Sequence, residues 1–434
     1  MTFETLGLSP ALLRALSETG YSTPTPIQAQ SIPAGLEGRD ILGAAQTGTG
    51  KTAAFGLPLL QRLAKETPPK GPRKPRALVL VPTRELAVQV ADSLKEYGRH
   101  LRLNVTMIFG GVGMQPQIDN LRRGVDILVA CPGRLLDHLD SGHAKLDAVE
   151  LLVLDEADRM LDMGFLPSIK RVLARVPKQR QTMLYSATFE PRIRSLAMEL
   201  LERPVEVQVA AQNTIADTIV HRVHPVDSSR KRDLLVDILA ARHNDRVLVF
   251  GRTKHGCNRL AEQLEKAGLP SVAIHGNKSQ AQRQKALDAF KAGRARILVA
   301  TDVAARGLDI PDLPLVINHD LPMVAEDYVH RIGRTGRNGA QGEALSLVAP
   351  EEGGLLRDIQ RMLKAEITMD TVAGFEPSQP LQMNAKPAQG RGGQRPGGQR
   401  KPGNRGHGKP QPRGASTHAG PKQHRGGGRR RRTA

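Results

Sequence analysis

Short runs of consecutive apolar residues punctuate the chain: ILGAA at 41–45, ALVLV at 77–81, VDILVA at 125–130, ELLVLD at 150–155 and TMLYS at 182–186. Each ends in a small or polar loop, and segments with helical periodicity, such as Glu85–His100 and Ser168–Val176, lie between them. A strand apolar along its whole length is covered on both faces, and strands alternating with helices predict a parallel sheet. The interval 204–220 is more polar. The pattern then restarts with RVLVF at 246–250, SVAI at 271–274, RILVA at 296–300, LVIN at 315–318 and EALSLV at 343–348. This predicts two α/β domains of similar build, over 1–208 and 219–380. Beyond about Pro380 the chain turns to Gly, Gln, Pro, Arg and Lys without apolar period, so 381–434 is expected to be a disordered basic tail.

Charge sharpens this division. The net charge is +20, but 14 Lys and Arg and no acid lie in 385–434, which leaves 49 basic against 43 acidic residues before it. A tail of that kind attracts phosphate backbones without reading sequence. With no Trp, four Tyr and eight Phe, the chain is poor in platforms on which splayed bases stack. The two cysteines, Cys131 and Cys257, have no metal-ligand spacing and fit a reducing compartment. No apolar run approaches a membrane span, and MTFETLGLSP reads as neither signal nor transit peptide. A cytoplasmic location is the expectation.

Candidate chemistry begins at AQTGTGKT, 45–52, between an apolar strand and an apolar helix start. Gly48 and Gly50 allow a loop whose amides, with Thr47 beside them, cradle phosphates. Lys51 would reach the β and γ oxygens and Thr52 would ligate Mg2+. Ala45 stands where the strict form of this loop has glycine. LVLDEAD, 152–158, is a strand ending in acids, in which Asp155 would hold Mg2+ through water and Glu156 would orient or deprotonate the attacking water.

Asp155-Glu156-Ala157-Asp158 spells the name of the DEAD-box helicases, and residues 3 to about 365 resemble that family throughout. The resemblance implies two tandem RecA-like domains. GYSTPTPIQ, 20–28, is similar to the family's Q motif, which implies that Tyr21 and Gln28 meet the adenine and that Phe3 packs on it. Ser186 and Thr188 of SAT would contact Asp158 and link hydrolysis to RNA. Thr83, Arg84, Gly110, Gly111 and Arg134 resemble RNA-contacting positions, with Cys131 where the family has Thr. In the second half, HRIGRTGR at 330–337 implies arginine fingers at Arg334 and Arg337, with His330 near the γ-phosphate. The resemblance also places Thr301 on RNA, Asp309 on the ribose and Arg306 between the domains. Gln280 and Arg283 would be further RNA donors.

The implied activity is RNA-stimulated ATP hydrolysis that closes two domains on an RNA backbone and separates a few base pairs. An ATP-gated RNA clamp with little strand separation uses the same residues and stands as the alternative. RTKHG, HGNKSQ and the basic end resemble the bacterial RhlE-type subgroup. That likeness implies a setting in ribosome assembly or RNA turnover, with proteins of those processes as partners.

Overall fold

A computed structural model describes residues 2–45, 48–65, 73–187, 189–209, 219–305, 308, 310, 313–336 and 342–384. Thr47, Thr188, Arg306, Asp309, Arg337 and the tail from 385 onward lie outside the described residues. Those described all fall in one unit of the chain.

The first half carries seven strands: β1 (Ile41–Ala44), β2 (Ala77–Leu80), β3 (Val105–Ile108), β4 (Ile127–Ala130), β5 (Leu151–Leu154), β6 (Gln181–Ser186) and β7 (Val205–Gln208). They form one parallel sheet in the order β3-β4-β2-β5-β6-β1-β7, with Ile41 paired to Met183 and Leu80 to Leu154. The second half repeats the plan with β8 (Ile219–Pro225), β9 (Val247–Phe250), β10 (Ser271–Ile274), β11 (Ile297–Ala300), β12 (Leu315–Asn318), β13 (Gly342–Val348) and β14 (Thr368–Met369). Its order, β10-β11-β9-β12-β13-β8-β14, matches the first sheet strand for strand.

Alternate residues of each central strand feed opposite cores. Ala77, Val79 and Val81 join one cluster with the helix Lys51–Lys65, while Leu78 and Leu80 join the cluster on the other face. That is why these strands read as unbroken apolar runs. Truncating one such buried Leu to Ala costs about 2–5 kcal/mol.

The interval 204–220, read from the sequence as a polar break, in fact holds β7 and the start of β8. β7 is an edge strand of sequence Val-Glu-Val-Gln in which only Val207 is fully buried. A strand packed on one face alternates, and at four residues that signature is too short to stand out. In each sheet the parallel strands bring their carboxyl ends to one side, where crossover loops gather and ligand sites form.

Candidate active site at the carboxyl ends of the strands

The loop after β1 leads directly into the helix that begins at Lys51. Gly48 and Gly50 adopt φ of 89° and 91°, in the left-handed region that side chains disfavour. A Cβ on Gly50 would also overlap the side-chain amide of Gln28. The Lys51 ammonium donates to Ala45 O at 2.6 Å, which holds it across the loop. Gln28 is 1% exposed; its Oε1 accepts from Thr25 N–H at 2.9 Å and its Nε2 donates to Gly50 O at 3.1 Å. Gln28 thus caps its own helix and fixes the phosphate loop. Tyr21, 41% exposed, stands edge-on to Tyr97 with ring centres 5.9 Å apart. Phe3 is buried in the core cluster with Leu6.

β5 delivers the acids. Glu156 sits at φ 51°, a left-handed turn for a non-glycine residue, and its N–H donates to Asp155 Oδ1 at 2.9 Å. Strain of this kind persists where surrounding contacts hold it, and it collects at functional sites. Burial pushes the Asp155 carboxyl up to about 7, against the pull of Lys51 and with added repulsion from Glu156. Burial also opposes charge on Glu156, but Arg159, Lys51 and Arg334 outweigh it and hold this carboxyl below its ordinary value. Arg159 pairs with Glu156 at 2.6 Å. Asp158 reaches the segment after β6 by accepting from Ala187 N–H at 3.0 Å; the buried Ser186 ends that strand.

A cleft of about 810 Å³ opens over these groups. Gly48, Lys51, Thr52, Asp155 and Glu156 line it from the first sheet, and Leu308 and Arg334 from the second. A small adjoining cavity brings His330 and Arg334 together with Lys51, Glu156 and Asp158. Arg334 is buried and donates to Leu308 O at 2.9 Å. A buried acid raised toward neutrality between a lysine and further acids is the environment a hard divalent cation would relieve. Among the described residues no group of three His, Cys, Asp or Glu converges to hold a metal unaided. Thr52 and Asp155, which both line the cleft, are the residues that could hold such a cation.

A second cluster lies beyond β2, β3 and β4. Thr83 caps the helix Arg84–Tyr97 by accepting from Leu86 N–H at 3.3 Å. Gly111 has φ 76°, and a Cβ there would fall inside the Arg84 guanidinium. Arg134 donates to Val112 O at 3.1 Å. Thr83, Arg84, Gly110, Gly111 and Arg134 thus form one patch of donors and bare backbone. Cys131 is buried, and that burial pushes its thiol up to about 12. Thr301 is buried where β11 passes into the helix Asp302–Ala305.

Gln280 and Arg283, expected from the sequence on RNA, are buried against Glu85 of the other sheet's domain. Gln280 Nε2 donates to Glu85 Oε1 at 3.2 Å, and Arg283 Nε pairs with the same oxygen at 2.8 Å. Glu85 lies 195 residues from Gln280, so the pairing cannot be read from spacing, although Glu85 sits inside PTREL. Arg331 was likewise not singled out. It is 2% exposed, forks onto the Asp302 carboxylate and donates to Asn318 Oδ1 at 2.9 Å and Asp320 O at 2.6 Å. Its place inside HRIGRTGR, one residue after His330, was the available signal.

Residues 25–196 match the DEAD/DEAH box helicase family and residues 230–339 the helicase conserved C-terminal domain. The chain is 47% identical over 367 residues, 84% of its length, to ATP-dependent RNA helicase DeaD of Klebsiella pneumoniae, of which it spans 56%. It thus covers little more than half of that relative. To DEAD-box ATP-dependent RNA helicase CshA of Bacillus cereus it is 43% identical, covering 84% of this chain and 69% of CshA. Among solved structures, Saccharomyces cerevisiae Dbp5 bound to RNA and ADP BeF3 superposes with TM-score 0.76 at 31% identity, over 85% of this chain and 95% of Dbp5. A point variant of Dbp5 bound to Nup159, Gle1, IP6 and ADP, at 30% identity, 85% of this chain and 96% of that one, gives 0.60. With both parts of the family pattern lying in order on its two sheets, and a 43% identical relative covered over most of its length, this chain belongs to the DEAD-box family of ATP-dependent RNA helicases.

Proposed function

We propose that this chain is an RNA-stimulated ATPase whose two domains close on one RNA strand and separate a few base pairs without long translocation. The observation that carries this is the small cavity in which His330 and Arg334 of the second domain meet Lys51 and Glu156 of the first. Neither domain holds a complete site. Phosphates would lie on the loop 45–52 under Lys51, and Thr52 and Asp155 would hold Mg2+, which supplies charge neutralisation. Glu156, kept anionic by its arginine and lysine neighbours, accepts a proton from the attacking water. Arg334 then faces the charge that develops on the γ-phosphate.

In this reading RNA spans the Arg84–Gly111–Arg134 patch of the first domain and Thr301 of the second, so RNA and ATP each favour closure. The Glu85–Gln280–Arg283 contact is made only when the domains meet, so we assign Gln280 and Arg283 to that closure. The higher TM-score to Dbp5 with RNA and ADP BeF3 supports the same arrangement. Arg337, Arg306, Asp309, Thr47 and Thr188 keep their proposed parts from the sequence, as do Phe3, Tyr21 and Gln28 at the adenine. We also propose domain limits of 1–208 and 219–380, and a cytoplasmic role in ribosome assembly or RNA turnover, where a basic tail would tether structured RNA.

ATP hydrolysis with and without single-stranded RNA, in wild type and Glu156→Gln, tests the proposal. RNA stimulation in the wild type and its loss in the variant are expected. Turnover indifferent to RNA would overturn it. Displacement of a short duplex strand separates unwinding from clamping.

A further inference from the structure

β10 is the outer strand of the second sheet, and no described strand pairs with its far side. Helix Lys254–Lys266 packs on one face of the sheet beside it and helix Gln280–Lys291 on the other. Between them runs a groove of about 610 Å³ whose walls are unusually small: Ala261, Ala273, Ala286 and Ala289, with Val272. Pro270 O accepts from β11, at Ile297 N–H, so the alternation of a parallel edge turns the amide groups of Ser271 and Ala273 outward. Ser271 N–H is already capped, donating to Glu265 Oε2 at 2.7 Å. An open edge of this kind is a template for an added strand.

The rim selects the occupant. Lys266, Lys278 and Lys285 line the groove, and none of them has an ion-pair partner among the described residues. Two glutamates, Glu262 and Glu265, oppose them, and Glu265 is engaged with Ser271. The chain's own tail, whose charged residues over 385–434 are Lys and Arg with no acid, is repelled by such a rim.

We propose that this edge is a docking groove for an extended acidic segment of a partner protein, which adds as a strand beside β10. Its alternate bulky apolar side chains would enter between the alanines while its acids meet the lysines. The helix Gln280–Lys291 also links this groove to the closing contact. Gln282, Lys285, Ala286 and Ala289 face the groove, whereas Gln280 and Arg283 on its other side hold Glu85. An occupied groove therefore presses on a helix that moves with closure.

The test uses fluorescence anisotropy with the full chain and two short labelled peptides, one alternating Phe and Val with Asp and Glu, the other with Lys in place of the acids. Saturable binding of the acidic peptide alone is expected. Lys266→Glu with Lys285→Glu should weaken it at least about tenfold and let the Lys peptide bind instead. Ala289→Arg, which fills the groove while making its rim more basic, should block the acidic peptide; thermal melting checks that each variant folds. No saturable binding below about 1 mM, or binding indifferent to the charge reversal, overturns the proposal. So does displacement of the peptide by single-stranded RNA, which would make the edge a nucleic-acid surface. Sedimentation that shows the peptide dissociating a dimer would instead assign the groove to a second copy.

Discussion

The two sheets share one strand order, yet only the first is built to hold a triphosphate, and the same two positions show why. Lys51 and Lys231 are each the first residue of the helix that follows equivalent strands, β1 and β8. Lys51 donates to the carbonyl of Ala45 and faces an open cleft beside Asp155 and Glu156. Lys231 is buried against Glu352 and donates to His319 O at 2.9 Å. Where the first sheet places Asp155 and Glu156 after its fourth strand in spatial order, the second places His319 and Asp320 after β12. Asp320 accepts from Arg252 N–H at 2.8 Å, and its charged neighbours outweigh burial to hold its carboxyl far below the usual range. One framework thus leaves a lysine available to a ligand, while its copy closes the position with an internal ion pair. The copy contributes instead from its other loops, through Arg334 and His330.

The largest contrast comes from removing each lysine. Lys51→Ala should cut ATP turnover by about 10²–10³-fold with little loss of stability. Lys231→Ala should leave buried Glu352 with Arg252 as its remaining charged partner and lower stability by about 1–3 kcal/mol, seen in denaturant melts. Equal losses of stability in the two would erase the distinction. Next, Arg334→Ala should reduce turnover by about 10²-fold or more while nucleotide binding persists, if its guanidinium serves the transition state from the other domain as proposed. A matching loss of nucleotide affinity would place Arg334 in simple binding.

Smaller effects probe what joins the halves. Glu85→Gln keeps a partner for Gln280 but discharges the pair with Arg283. The RNA concentration needed for half-maximal ATPase stimulation should rise about tenfold, with unstimulated turnover unchanged. An unaltered RNA requirement would make Glu85 a bystander. The least effect is expected from Gly111→Ala, which must displace Arg84 and tolerate a left-handed backbone. It should weaken RNA binding by about three- to tenfold, read by filter binding, and leave nucleotide affinity alone.

Much of this was legible because the motifs are contiguous. AQTGTGKT and DEAD each join a strand end to a helix start, and HRIGRTGR runs from the last turn of the helix Ala325–Ile332 into the segment before β13, so each phrase delivers its own residues locally. The central strands were legible for the same local reason, being apolar on both faces. What the sequence hid is non-local. Arg331 looks like one more arginine in a basic phrase, yet it is buried and ties two strand ends together. Gln280 and Arg283 read as polar donors for RNA, and only the assembled fold supplies Glu85, 195 residues from Gln280, as their partner. β3, β7, β8 and β14 were missed: β3, β7 and β14 are short edge strands and β8 is only partly buried, so each carries little apolar signal.

The central claim is that neither sheet completes the catalytic site alone and that ATP and RNA together bring them into contact. Single-molecule energy transfer tests it most directly, with dyes at Met198→Cys and Glu366→Cys, both exposed, while the native Cys131 and Cys257 stay buried. The account predicts a shift in transfer only when ATP and single-stranded RNA are both present, reduced in Glu85→Gln. A full shift with ATP alone, or none with both, would contradict it.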